Sequence, residues 1–166
     1  MARLVVVTGA AGFIGRALCR SLREHGERVR AVDIDINHGV DSRIGDENVR
    51  ADLTDPARAA LALDGASVVY HLAARMGGIG LTAKNRFEIA TTNATIDINV
   101  INAVARQNGV RLVYASSACV MPIDNPLPGY GDAKLFGERL CFAAASDKDV
   151  SVAVARIFTV YGPGDK

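Results

Sequence analysis

Hydrophobic and polar residues follow two rhythms along this chain. Short runs rich in Val, Ile, Leu and Ala are nearly continuous, as expected of strands buried on both faces of a parallel sheet. Longer segments between them carry apolar residues with a helical period. The alternation predicts an α/β fold with a doubly wound parallel sheet of about six strands and helices on both faces. The predicted strands are 4–8, 29–33, 49–52, 67–72, 111–116 and 151–157.

Four helices are predicted between these strands. The first spans about 12–26, and the second has Asp55 as its N-cap and Pro56 as its first residue. The third runs from about 86 to 108 and the fourth from about 130 to 145. Sheets of this kind bind ligands beyond the carboxyl ends of their strands, where the strand order reverses. Catalytic and ligand-binding residues are therefore expected just beyond the carboxyl ends of the strands.

Composition and charge exclude several classes of function. The chain has 166 residues, a net charge of +1 and 49% apolar residues, which predicts a single domain over residues 1–166 with its own core. The balance of charges gives no reason to expect binding to nucleic acid or to an anionic membrane. No apolar stretch approaches the roughly 18 residues that cross a bilayer. Three widely spaced cysteines indicate neither a disulfide framework nor a metal site, and favour a cytoplasmic setting.

A glycine-rich turn follows the first predicted strand. Gly9, Gly12 and Gly15 form a G-x-x-G-x-x-G pattern that opens a helix, and such glycines allow bare backbone to approach a pyrophosphate at the helix start. Asp33 ends the second strand 18 residues beyond Gly15, where a carboxylate can bind the adenosine ribose and repel a 2′-phosphate. The unit predicts NAD rather than NADP. The alternative is a plain turn in which Asp33 caps a loop.

Structural roles compete with functional ones at other positions. Asp52, after the third strand, is placed either to bind the adenine amino group or to form the turn before Thr54. His71 is interpreted as a hydrogen-bonded core or strand-end histidine rather than a catalyst. Cys19 and Cys141 are interpreted as small buried hydrophobes.

Several motifs together resemble the extended short-chain dehydrogenases, in particular the nucleotide-sugar epimerases and dehydratases. They occur in the family's order across nearly the whole chain, and within the family they are most similar to the GDP-mannose 3,5-epimerases, followed by the GDP-L-fucose synthases. The motifs are Thr8-Gly9-Ala10-Ala11-Gly12-Phe13-Ile14-Gly15, Asp52-Leu53, His71-Leu72-Ala73-Ala74, Met76-Gly77-Gly78-Ile79-Gly80, Tyr114-Ala115-Ser116-Ser117-Ala118-Cys119, Tyr130-x-x-x-Lys134 and Arg156-Ile157-Phe158-Thr159-Val160-Tyr161-Gly162-Pro163.

The resemblance implies a Rossmann-type sheet and a set of residues around NAD. Gly77, Gly78 and Ser117 are implied to contact substrate, although a glycine-rich turn needs no ligand. Ala73 and Ala74 let the backbone approach the cofactor, or else serve tight core packing. The implied cofactor-binding residues are Gly9, Gly12, Phe13, Ile14, Gly15, Asp33, Asp52, Leu53, Leu72, Ala73, Ala74, Tyr130 and Lys134.

The resemblance also implies four catalytic residues: Ser117, Cys119, Tyr130 and Lys134. Tyr130 takes the proton of the sugar C4 hydroxyl, and the Lys134 ammonium, four residues further along the helix, favours the phenolate by charge. Ser117 binds the same sugar oxygen, or is satisfied by its own backbone. Cys119 removes a proton beside the transient ketone, or is a small hydrophobe.

Two departures from the family's pattern bear on activity. Only 11 positions separate Cys119 from Tyr130, where the family carries a longer insert, and the sequence stops at Lys166, where the family continues into a substrate domain. The expected partners are a nucleotide sugar, most simply a GDP-sugar, and either a second copy, packed through the two long helices, or a chain that supplies the substrate domain. The alternative functions are a non-catalytic NAD-binding module or one subunit of a split enzyme.

Overall fold

The computed structural model describes residues 3–36, 44–76, 84–121 and 129–164. Within these ranges the strands are β1 (Leu4–Thr8), β2 (Arg28–Asp33), β3 (Glu47–Arg50), β4 (Val68–His71), β5 (Val110–Ser117) and β6 (Val150–Ile157). The helices are α1 (Phe13–Glu24), α2 (Pro56–Leu63), α3 (Arg86–Ala105) and α4 (Tyr130–Asp147), with a 3₁₀ turn at Ala118–Val120.

All six strands lie in one parallel sheet, in the order β3-β2-β1-β4-β5-β6. The chain runs outward from β1 in one direction and then returns to build the sheet on the other side, so the order reverses between β1 and β4. The doubly wound, Rossmann-type fold predicted from the sequence is confirmed. In such a sheet the crevice beyond the carboxyl ends of β1 and β4 is the expected ligand site.

Most predicted boundaries shift by one or two residues, and two of the differences have a clear physical reason. β3 spans Glu47–Arg50 rather than 49–52, because its ladder with β2 ends where Asp33 pairs with Arg50. The third helix stops at Ala105 rather than near residue 108. There the Gln107 side chain donates to the carbonyl groups of Leu63 and Ala103, and so ties the chain to the end of α2.

Local signals fix the helix ends as predicted. The Asp55 carboxylate accepts hydrogen bonds from the backbone N–H groups of Ala57 and Arg58, and Pro56 is the first residue of α2. Gly26 follows α1 with a φ of 81°, in the left-handed region that favours glycine.

The core lies in two layers, one on each face of the sheet. α1 covers Val7, Val29 and Ala31, while α2, α3 and α4 cover the opposite face, which includes Val6, Val69 and Leu112. Cys19 and Cys141 are fully buried, one in each layer, which confirms their interpretation as small hydrophobes. None of the described helices combines the length and the apolar character that a bilayer crossing needs.

Candidate functional site

Two adjoining cavities lie at the carboxyl ends of the strands. They share Gly9 and Ala74, at the exits of β1 and β4, so together they form one elongated site across the point where the strand order reverses. The first cavity, of about 540 Å³, is lined by Gly9, Asp33, Ile34, Ala51, Asp52, Leu53, Thr54, Ala73, Ala74, Arg75, Thr92 and Ile96. The second, of about 400 Å³, is lined by Gly9, Gly12, Phe13, Ile14, Gly15, Leu72, Ala74, Met76, Ala115, Ser116, Ser117, Tyr130, Lys134, Ile157, Phe158 and Val160.

The glycine turn forms the shared wall of both cavities. Gly9 has a φ of 69°, and a Cβ atom there would lie 2.7 Å from the Ala73 nitrogen, so only glycine lets β1 and β4 exit side by side. A Cβ on Gly15 would overlap the Gly9 carbonyl oxygen and lie 2.7 Å from the Ala10 Cα. Gly12 is the N-cap of α1 and supplies no capping side chain. The first-turn N–H groups of α1 therefore remain available to an anion in the second cavity.

Asp33 joins the glycine turn to the first cavity. Its Oδ2 accepts a hydrogen bond of 3.0 Å from the Ala11 N–H, and its Oδ1 accepts one of 3.0 Å from the Asp35 N–H. A carboxylate has about four acceptor positions, so these two bonds leave capacity for a ligand. The loop-capping alternative and the ligand-binding prediction are therefore compatible at this residue.

Asp52 has the turn role that was one of its two alternatives. Its Oδ1 accepts hydrogen bonds from the N–H and the hydroxyl of Thr54, at 2.9 and 2.7 Å. These bonds hold the pKa of the Asp52 carboxyl below its ordinary value, with a smaller contribution from the charge of Arg58. Asp52 and Leu53 also line the first cavity, so the turn holds the carboxylate at the wall of that cavity.

Tyr130 and Lys134 lie one turn apart at the start of α4, and both line the second cavity. Lys134 is only 2% exposed, and its Nζ lies 4.8 Å from the centroid of the Tyr114 ring. Burial lowers the pKa of the Lys134 ammonium, and the charge of the nearby Asp97 carboxylate opposes this shift. A buried ammonium group that lines a cavity is a candidate hydrogen-bond donor for a ligand there.

The expectation that Lys134 lowers the pKa of Tyr130 is not met in the chain alone. Burial, supported by the nearby Cys119 and Asp97, raises the pKa of the Tyr130 phenol to about 12. The physical reason is that desolvation penalises the phenolate while the ammonium lies over a different ring, that of Tyr114.

Ser117 and Cys119 lie beyond the exit of β5. The Ser117 Oγ accepts a hydrogen bond of 3.2 Å from the Cys119 N–H, and Ser117 also lines the second cavity. Cys119 is half-buried beside Tyr130 and Ile89 and lines neither cavity. Among the described residues, Ser117 thus lines the candidate site and Cys119 does not. Gly77 and Gly78 lie outside the described residues.

Some lining residues were not predicted individually. Thr92 and Ile96 reach the first cavity from α3, and Phe158 and Val160 reach the second from the segment after β6. In the sequence, the spacing of four residues between Thr92 and Ile96 indicates only that they share one helix face. Phe158 and Val160 belong to the motif that begins at Arg156, which the sequence analysis did not assign to the site. In the described part of the chain, no group of three or more His, Cys, Asp or Glu residues is arranged to hold a metal ion.

A buried polar cluster behind the site was also not predicted. His71 is fully buried between Thr8 and Asp97, which confirms its interpretation as a hydrogen-bonded core histidine. Asp97 lies on the buried face of α3 and accepts a second hydrogen bond, from Tyr114. The sequence signal for this cluster is that Asp97 lies four residues after Asn93, on a helix face whose other buried residues are apolar.

The sequence matches the model of a family described as Epimerase, the NAD dependent epimerase/dehydratase family, over residues 5–166. It is 33% identical to the GDP-mannose 3,5-epimerase of Arabidopsis thaliana, over 96% of this chain and 47% of that protein. It is 32% identical to the 2-alkyl-3-oxoalkanoate reductase of Stenotrophomonas maltophilia, over 98% of this chain and 52% of that protein. The chain thus spans about half the length of these curated relatives.

Solved structures show the same similarity. MoeE5 in complex with UDP-glucose and NAD is 36% identical, with a TM-score of 0.81 over 98% of this chain and 56% of that chain. The UDP-glucuronic acid 4-epimerase from Bacillus cereus in complex with NAD is 28% identical, with a TM-score of 0.80 over 96% of this chain and 57% of that one. The UDP-glucose 4-epimerase from Brucella ovis, at 23% identity and a TM-score of 0.83, shares the fold.

Proposed function

The chain belongs to the NAD dependent epimerase/dehydratase family, and we propose that it binds NAD across its two cavities to oxidise and reduce a nucleotide sugar, specifically a GDP-sugar. The observation that carries this proposal is the junction of the two cavities at Gly9 and Ala74. One cavity contains the carboxylate suited to a ribose, and the other contains the Tyr130 and Lys134 pair. An extended ligand with two halves fits this division.

The residues of the site suit NAD on their own chemistry. Asp33 in the first cavity accepts hydrogen bonds from ribose hydroxyls and repels a 2′-phosphate. Gly9 and the first turn of α1 provide a bare backbone and N–H groups for a pyrophosphate. Lys134 lines the second cavity, where its ammonium group can donate hydrogen bonds to the second ribose.

In the proposed mechanism Tyr130 is the general base and Ser117 binds the reacting sugar oxygen. When bound, NAD supplies the hydride acceptor and donor, and its positive ring favours the phenolate. Tyr130 takes the hydroxyl proton as the C–H bond breaks, and returns it when the ketone is reduced. Lys134 adds a second positive charge on the same helix face. Because burial raises the pKa of Tyr130 to about 12, the base needs both charges.

The choice of a GDP-sugar rests on the 33% identity to GDP-mannose 3,5-epimerases. Gly77, Gly78 and Ser117 are proposed as substrate contacts and Cys119 as the group that removes a proton beside the ketone.

A homodimer is proposed through α3 and α4, whose exposed apolar side chains support it. These side chains are Ile98, Phe136 and Phe142. The predicted cytoplasmic location stays a prediction.

A second candidate function is a non-catalytic NAD-binding module, or one subunit of a split enzyme. Two observations favour it: Cys119 lines neither cavity, and the chain spans only 47% of the Arabidopsis thaliana relative. Since orientation of the substrate supplies a large part of an enzyme's rate, a chain with few substrate contacts keeps cofactor binding more readily than catalysis.

The deciding experiment follows reduced nicotinamide by absorbance after the full chain, loaded with NAD, is mixed with GDP-mannose or UDP-glucose. We expect a transient signal with GDP-mannose that falls at least about 100-fold in Tyr130→Phe, because the base is lost. Tyr161→Phe is the control, since Tyr161 is 84% exposed and lines neither cavity. NAD binding without any signal would support the non-catalytic module instead.

A further inference from the structure

Four buried side chains form a hydrogen-bonded chain beneath the second cavity. The Thr8 Oγ1 lies 2.7 Å from the His71 Nδ1, and the His71 Nε2 lies 3.0 Å from the Asp97 Oδ1. The Tyr114 hydroxyl donates to the Asp97 Oδ2 at 2.7 Å. The chain links β1, β4, α3 and β5. It ends at the site itself, because the Ala73 N–H donates to the Thr8 Oγ1.

The donor and acceptor roles in these bonds make Asp97 an acceptor on both sides. Burial lowers the pKa of His71 in spite of the neighbouring Asp97, so the ring is neutral and has a single N–H. The Thr8 hydroxyl donates to the His71 Nδ1, which leaves the Nε2–H to donate to Asp97. Tyr114 donates from the other side. Asp97 therefore receives two hydrogen bonds from neutral groups, as a buried carboxylate requires.

Charge balance singles out Asp97 among the buried carboxylates of the described residues. Glu138, the other one, is paired with Arg156 through bonds of 2.8 and 2.6 Å. Asp97 has no such cation, and both of its partners are neutral. The one fully buried cation that the described residues contain is Lys134. An unpaired buried charge is costly, and the charge of Asp97 favours the protonated form of Lys134.

The Tyr114 ring lies between the two charges. The Lys134 Nζ lies 4.8 Å from the ring centroid, while the hydroxyl of the same ring donates to Asp97. A ring whose hydroxyl donates to a carboxylate has a more negative face, which strengthens its attraction for a cation. Gly137, one turn after Lys134, lies directly on this contact. A Cβ there would be 2.5 Å from the Asp97 Oδ2 and would overlap the Tyr114 hydroxyl.

We propose that Asp97 is a positioning residue: it is the counter-charge of Lys134 and holds that ammonium at the wall of the second cavity through the ring of Tyr114. The inference rests on the proposed function only for the role of Lys134 toward NAD. The charge pairing itself is a property of the free chain.

The test is an NMR titration of Lys134 in the full chain labelled with ¹³C-lysine. The sequence has four lysines, so few signals need to be assigned. The other titratable groups that face Lys134 carry no negative charge near pH 7, since burial raises the pKa of Tyr114 and of Cys141, and also of Tyr130, and lowers that of His71. Asp97→Asn should therefore lower the pKa of Lys134 by about one unit or more. An unchanged value overturns the proposal.

Glu138→Gln is the matched control, because it removes a buried carboxylate from the same helix whose charge Arg156 already balances. It should leave the titration of Lys134 in place. An equal shift in both variants would mean that general loosening of the core, and not the charge of Asp97, moves Lys134.

A double-variant cycle tests the pairing where Asp97→Asn alone does not fold. Lys134→Met should lower the urea midpoint, because it leaves the Asp97 charge buried and uncompensated, and adding Asp97→Asn should recover most of that loss. Simple addition of the two losses overturns the proposal. NAD affinity, measured on the same samples, separates the two claims. If the unmodified chain binds no NAD, but Asp97→Asn still lowers the pKa of Lys134, the proposed function is contradicted and the charge pairing is supported.

Discussion

The two cavities share a wall, yet they are held in place by different kinds of interaction. In the first cavity, Asp52 and Asp33 accept hydrogen bonds from residues of turns: Asp52 from Thr54, and Asp33 from Ala11 and Asp35. In the second cavity, Lys134 lies over the ring of Tyr114, a fully buried core residue. The comparison teaches that turns hold the carboxylates of the first cavity, while the core holds the ammonium group of the second.

Gly15→Ala should have the largest effect, because it damages the wall common to both cavities. The new Cβ overlaps the Gly9 carbonyl oxygen and lies 2.7 Å from the Ala10 Cα. We expect a loss of about 3 kcal/mol in the free energy of unfolding and no detectable binding of NAD or AMP. Urea unfolding and calorimetry measure both. Gly12→Ala is the control for stability, since its Cβ meets only the Gly9 carbonyl oxygen, at 3.2 Å; equal losses in the two variants would contradict the account.

Gly137→Ala separates the two cavities. Its Cβ pushes Tyr114 away from Asp97, at a cost of about 2 kcal/mol after allowance for the better helix propensity of alanine. AMP needs the first cavity for its adenosine and only the α1 end of the second for its phosphate, so it should bind as before, while NAD affinity falls. Ala143→Ser, on the exposed side of the same helix, should change stability by less than about 0.5 kcal/mol. Equal weakening of AMP and NAD would show that the cavities are not independent.

The pH dependence of stability should report the core behind the second cavity. Burial lowers the pKa of His71 below its ordinary 6.5, so the unfolded chain binds a proton that the folded chain refuses as the pH falls below 6.5. The contribution of His71 to stability is therefore complete above that pH and decreases below it, by at most about 1.4 kcal/mol per pH unit. The carboxyl groups with lowered pKa values, such as Glu138 and Asp52, add their losses only below about 4.5. Urea midpoints at pH 7.5 and 5.5 test this, and a flat profile would argue against a neutral buried His71.

Cys119→Ser should have the smallest effect. Cys119 is half-buried and lines neither cavity, so we expect a change in stability of less than about 0.5 kcal/mol and unchanged affinity for NAD and AMP. Cys141→Ser, at a fully buried position, should be clearly destabilising by comparison. A loss of NAD affinity in Cys119→Ser would place the thiol inside the second cavity.

Much of the fold and of the geometry of the candidate site could be predicted because the signals are local. The glycine turn and the start of α2 depend on residues close together in sequence, Asp33 ends a short apolar strand, and each predicted cofactor residue lines one or both of the cavities. β3 was misplaced by two residues because its ends follow its pairing with β2, which no local pattern records.

Long-range electrostatics could not be predicted in the same way. A tyrosine four residues before a lysine suggests a lowered phenol pKa, yet burial raises the pKa of Tyr130 and Lys134 lies over Tyr114. Asp97 lies 26 residues from His71 and 17 from Tyr114. Only the packing of α3 and α4 onto the sheet brings these groups together.

The central claim is that this chain binds NAD, and not NADP, across two cavities that meet at Gly9. It is tested most directly by thermal unfolding of the chain with each nucleotide at about 100 times the dissociation constant expected for NAD. Such binding adds about 2.7 kcal/mol, so the account predicts a midpoint raised by roughly 5 to 10 °C with NAD and little change with NADP. No shift with NAD, or an equal shift with both nucleotides, would contradict it.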